Sequence, residues 1–140
     1  IDIPSWDTHA DMGPVTGVLA TKLDDLGLGL EAFWKDLGSE LDRVTLVVMT
    51  EFGRRVEEND SDGTDHGHGG CMFVMGGHVA GGQVVTQWPG LDPASLGNGN
   101  VPVTIDYRDI LAEILEERLG NPSAQDVFLG YQATTQGVTT

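Results

Sequence analysis

Basic residues are scarce in this sequence. Seven lysines and arginines stand against 22 aspartates and glutamates, for a formal net charge of -15 over 140 residues. Nucleic-acid backbones and anionic membrane surfaces repel such a chain, so neither is expected as a partner, whereas cations are attracted. Cysteine is nearly absent too. Cys71 stands alone, which excludes an intramolecular disulfide and a CxxC-type zinc ribbon and leaves the redox compartment open. Long hydrophobic runs are also lacking. The longest, Val44 to Met49, is interrupted by Thr45, far short of the roughly 20 apolar residues that span a bilayer, so no membrane insertion is expected. No signal peptide is expected within these residues, and the first is Ile1 rather than Met, as expected of a processed chain or a piece of a longer protein. Neither a GxSxG elbow, a Walker loop nor a dinucleotide fingerprint occurs.

What is present reads as one α/β segment over residues 1–130, followed by a polar, Thr-rich tail over 131–140 that is expected to fray. Apolar residues recur at three- and four-residue spacing from Val15 to Leu41, which predicts a helix with a possible break at Gly27 and Gly29. Leu46 to Met49 and Cys71 to Met75 are short apolar runs, expected as neighbouring buried strands of a parallel sheet, with Cys71 a buried small hydrophobe. Thr50 to Gly70 between them reads as a long polar loop, which compact domains seldom keep without a use. Val84 to Thr86 and Val101 to Ile105 read as further extended pieces. Asp106 is placed to cap a helix through Leu119, stopped by Gly120 and Pro122. Helices alternating with apolar strands give an α/β class with the helices packed on the sheet.

Two clusters carry the chemistry. In Trp6-Asp7-Thr8-His9 the acid and the imidazole are two residues apart, so an extended strand would point both to one side. In Gly63-Thr64-Asp65-His66-Gly67-His68-Gly69-Gly70 two histidines share that spacing, and the glycines let the backbone close tightly. Imidazoles with a carboxylate suit zinc, manganese or iron, whereas calcium and magnesium want oxygen alone. The candidate metal ligands are therefore Asp7, His9, Asp65, His66 and His68. The aspartates either ligate or orient an imidazole from behind. His78, after Gly76-Gly77, serves a turn rather than the ion.

Thr50, Glu51 and Arg54 follow the strongest predicted strand, where open α/β sheets place their ligands. Glu51 is a candidate ligand or general base, and Arg54 a candidate clamp for a small anionic substrate. A plain Glu–Arg surface pair is the competing reading. Asn59 is a weaker polar candidate in the same loop. Hydroxyls in these motifs are confined to Thr8, Thr50 and Thr64, none with an evident activating base, and Thr50 beside Glu51 is the best placed.

Trp6-Asp7-Thr8-His9, Val47-Val48-Met49-Thr50-Glu51-Phe52-Gly53-Arg54, Asn59, Gly63 to Gly70, Trp88-Pro89 and Asp106-Tyr107-Arg108-Asp109 occur together in order. This arrangement resembles the C-terminal part of the bacterial family called domain of unknown function 1501. The resemblance implies export through a twin-arginine signal, to the periplasm or beyond. It also implies a fold like that of the alkaline phosphatase and sulfatase superfamily, here a partial sandwich with a mainly parallel sheet. That superfamily hydrolyses phosphate or sulfate esters at bound metal. On that comparison Asp7 and His9 resemble ligands of one metal, and His66 or His68 a later ligand. Glu51-Phe52 departs from the superfamily's Asp-His pair, and no counterpart of its nucleophile-bearing part is present. The expectation is a metal-binding, hydrolase-like chain, zinc or manganese being the ion, with a non-catalytic metal-binding or interaction module as the alternative. A half-fold would leave a sheet edge unpaired, so self-association or pairing with an upstream half of the same fold is expected.

Overall fold

In the computed structural model, which describes residues 1–140, the chain is mixed α/β and forms two units. The first gathers residues 1–38, 51–70 and 90–102; the second gathers 39–50, 71–89 and 103–140.

In the first unit, α1 runs over Val18–Leu37 and ends at Gly38, whose φ of 49° and N–H bond to the Trp34 carbonyl close the last turn. The helix runs unbroken through Gly27 and Gly29, where a penalty of about 1 kcal/mol each is offset by the leucines, alanines and charged residues around them. An ion pair between Glu31 and Lys35, one turn apart, adds to it. None of its residues is buried, and Leu28 and Trp34 are exposed. This corrects the expectation that the helix packs on a sheet. No helix in the chain is long and apolar enough to cross a membrane.

The segment expected to be a long loop contains a hairpin instead. Strands β2 (Gly53–Glu58) and β3 (Thr64–Gly67) pair antiparallel, with Gly53 opposite Gly67 and Arg54 opposite His66. Four steps along β2 then match two along β3 before Glu58 meets Thr64, so β2 bulges. The free edge of β2 is partly covered by residues 97–101: Val56 N–H bonds the Gly99 carbonyl, and Arg55 bridges Asn100. Polar composition hid these strands, because neither has an apolar face to alternate.

In the second unit, β1 (Thr45–Val48) and β4 (Phe73–Gly76) pair antiparallel, with Val47 opposite Val74. The two apolar runs are neighbours as expected, but half-buried and antiparallel. The expected parallel sheet does not form, and neither two-stranded sheet builds the alkaline-phosphatase-like sandwich. A short apolar run carries no orientation signal, and a parallel pair needs a crossover in place of the hairpin found between these strands. Cys71 is exposed rather than buried, lying outside β4.

Helix α2 (Tyr107–Glu117) is capped as expected, the Asp106 carboxylate accepting the Arg108 N–H at 2.9 Å. Ile110 and Ile114 meet Val138 in the core, with Val47, Val74, Val85 and Ile105 against them. A last turn, α3 (Ala124–Val127), buries Ala124. Val84 to Thr86 and Val101 to Ile105 form no strand. His78, at a φ of 58°, serves the turn that brings its carbonyl to the Thr140 N–H.

The tail does not fray. Val138 is buried, and two acids of α2 gather the surrounding amides. Glu113 accepts from the N–H groups of Gln136, Gly137 and Thr139 and from the Thr139 hydroxyl, at 2.7 to 2.9 Å. Asp109 accepts from the Tyr131 hydroxyl and the Thr134 N–H, both at 2.8 Å. A polar tail thus docks through its backbone donors rather than through apolar side chains.

Candidate metal centre

The site lies wholly in the first unit. Asp7 and His9 are held not in a strand but in two successive three-residue turns, Thr8 N–H bonding the Trp6 carbonyl at 2.9 Å and His9 N–H the Asp7 carbonyl at 3.2 Å. Thr8, between them, is buried, and its carbonyl faces the Thr64 N–H. Asp11 and Met12 continue beside Ser61 and Asp62 through backbone bonds of 2.9 Å. The approach is close enough to demand glycine: a Cβ on Gly63 would lie 2.3 Å from the His9 carbonyl. The motif glycines therefore do tighten the loop, against the first cluster.

Three ligand atoms converge. Asp7 Oδ1 is 3.1 Å from His9 Nε2 and 2.9 Å from His66 Nε2, and the two imidazole nitrogens are 2.9 Å apart. This Asp7, His9 and His66 group can hold a metal ion. Two imidazoles and a carboxylate are donor types that a metal ion accepts.

The surroundings hold these donors still. Phe52 lies against the His66 ring at a centroid distance of 4.1 Å, and the His9 and His66 rings are 4.6 Å apart. Arg54, on β2, donates to Asp7 Oδ1 at 2.7 Å and to the carbonyls of Trp6 and Thr64. Hydrogen bonds from His66 and Arg54 hold the Asp7 carboxyl below its ordinary range, His66 acting most strongly. Asp65 faces the other side of His9, with its Oδ1 3.4 Å from Nδ1, and hydrogen bonds from Asn59 and then His9 lower its pKa likewise.

Of the other sequence candidates, His68 is exposed and outside the group, one residue past the end of β3. Glu51 is exposed and also outside it. Thr50 is exposed and belongs to the second unit, while Thr8 and Thr64 are buried in the first. Asn59, weak as a sequence candidate, binds both clusters.

The fold and site together describe a small acidic α/β protein with a surface Asp/His/His group able to hold a metal. The chain belongs to the family described as protein of unknown function (DUF1501), whose model matches residues 1–140. No curated protein and no solved structure matches it.

Proposed function

We propose that this chain binds one divalent transition-metal ion, zinc or manganese, through Asp7, His9 and His66, and that the site serves hydrolysis of phosphate or sulfate esters. The observation that carries the binding is the triangle of donor atoms 2.9 to 3.1 Å on edge. The mixed imidazole and carboxylate donors are the argument for zinc or manganese. The resemblance to the alkaline phosphatase and sulfatase superfamily supports the ester class, and supports placing the protein outside the cytoplasm.

Bound metal would supply Lewis acidity toward an ester oxygen. The chain's own contribution is orientation and charge. Arg54 fixes Asp7 and adds a positive charge beside it, which favours a small anionic substrate once the carboxylates are neutralised by the ion. Glu51 is assigned as general base. For the nucleophile, burial of Thr8 and Thr64 leaves Thr50 as the accessible motif hydroxyl. Neither Thr50 nor Glu51 belongs to the Asp7, His9 and His66 group, so this chain by itself is expected to turn over little or no aryl phosphate or sulfate.

The same observation supports a second reading, a metal-binding module without catalysis. Elemental analysis after dialysis against manganese or zinc, beside an aryl ester assay, tests both. The expected result is one ion per chain with little turnover. Absence of bound metal would overturn the binding site. Metal-dependent hydrolysis lost in Thr50→Ala but kept in Thr8→Ala would make Thr50 the nucleophile and discard the non-catalytic reading.

A further inference from the structure

The geometry points to Asn59 as the positioning residue that, through Asp65, sets which nitrogen of His9 carries its proton and so aims a lone pair at Asp7 and His66. This rests on the metal site proposed above and concerns a residue outside its ligand group. The Asn59 amide is fully used. Its Nδ2 donates to the His9 carbonyl at 3.0 Å and to Asp65 Oδ1 at 2.9 Å. Its Oδ1 accepts from the N–H groups of Ser61 and Gly63, at 3.0 and 3.1 Å. One side chain therefore closes its own loop and ties both clusters, which lie some fifty residues apart in sequence.

The consequence follows from donor bookkeeping. An ionised carboxylate only accepts, so the hydrogen bond between His9 Nδ1 and Asp65 Oδ1, 3.4 Å apart, forms in the tautomer with its proton on Nδ1. His9 Nε2 is then a bare lone pair, 3.1 Å from the Asp7 oxygen. Two acceptors at that distance repel unless a proton or cation lies between or beside them. The His66 Nε2–H, 2.9 Å from both, supplies one proton to this pair. A metal would replace it, taking the His9 lone pair already aimed. Asn59 steers Asp65 into the position that imposes this tautomer, while its second donor bond anchors the His9 backbone. An imidazole that ligates through one nitrogen commonly donates through the other to a carboxylate, and loss of such outer partners costs about 10–100-fold in metal affinity.

The test reads the tautomer directly, in metal-free protein, by long-range proton–nitrogen NMR of labelled histidine at about pH 8.5. Wild type is expected to show His9 protonated on Nδ1. Asn59→Asp keeps the acceptor that closes the loop but replaces the donor, so His9 is expected to shift toward the Nε2–H form. Manganese affinity by titration calorimetry is expected to fall about 10–100-fold. Asp65→Ala, an exposed change, should produce the same shift, and the double variant should add little to it. A wild-type His9 protonated on Nε2 would overturn the inference. So would an Asn59→Asp variant with wild-type tautomer and affinity. If the tautomers behave as expected while wild type binds no manganese, the positioning role stands and the metal assignment falls.

Discussion

His66→Ala is expected to lose roughly a thousandfold in manganese affinity, about 4 kcal/mol at 1.4 kcal/mol per tenfold, while His68→Ala stays within about twofold of wild type. The contrast separates two histidines that spacing alone treats alike. His66 contributes the nitrogen that lies 2.9 Å from both other donors. Removing it takes away one of three protein ligands and the ring that Phe52 holds in place. His68 lies one residue beyond β3, exposed and outside the group. Calorimetric titration of both variants and wild type measures this. Full stoichiometry and affinity in His66→Ala, or a large loss in His68→Ala, would refute the ligand assignment.

A second large effect is expected in the other unit, at an acid whose importance its sequence context conceals. Glu113→Ala should destabilise the second unit by roughly 3 kcal/mol, since it strips the shared acceptor from four part-buried donors. Glu113 is only 4% exposed, and its partners are three backbone N–H groups and one hydroxyl of the tail rather than a cation. Glu113→Gln should recover only part of this, because an amide turns a donor toward some of the same N–H groups.

The pH dependence has a definite sign. Burial raises the Glu113 pKa, but the hydrogen bonds from Thr139, Gln136 and Gly137 outweigh it and leave the carboxyl below its ordinary 4.5. A group whose folded pKa is depressed stabilises the fold above its unfolded pKa. That contribution is lost as pH falls through the folded value. Wild type should therefore lose tail protection below about pH 4.5, read by hydrogen exchange at Gly137 and Thr139, and Glu113→Gln should lack that dependence. Tail amides that exchange freely at neutral pH in wild type would contradict the docked arrangement.

Much of the architecture was legible because it rests on local patterns. The three- and four-residue spacing read from Val15 to Leu41 is enough to give α1, which is shorter at Val18–Leu37, and Asp106 before an apolar stripe is enough to start α2. The β1 and β4 segments announced themselves as apolar runs, yet their antiparallel orientation did not, since alternation and apolarity are the same whichever way a strand runs. The hairpin of β2 and β3 was invisible for a related reason. Its stabilising bonds are between backbone groups, and its side chains are mostly polar and turned to solvent.

At the metal centre the residue types, their pairing at two-residue spacing and the glycines around them were determined by the sequence itself. That chemistry is a property of side chains, and it selected Asp7, His9, Asp65, His66 and His68 without coordinates. Only the tertiary structure separated His66 from His68, gave Asp65 a place behind the His9 ring, and made Asn59 the link between clusters. Those distinctions depend on distances across a gap of some fifty residues, closed by turns at Asp7 to His9 and by backbone contact at Gly63. The same holds for the tail. Its composition reads as solvated and mobile, and its docking comes from amide N–H groups that every non-proline residue carries, so only the fold that brings Glu113 beneath them decides that they are used.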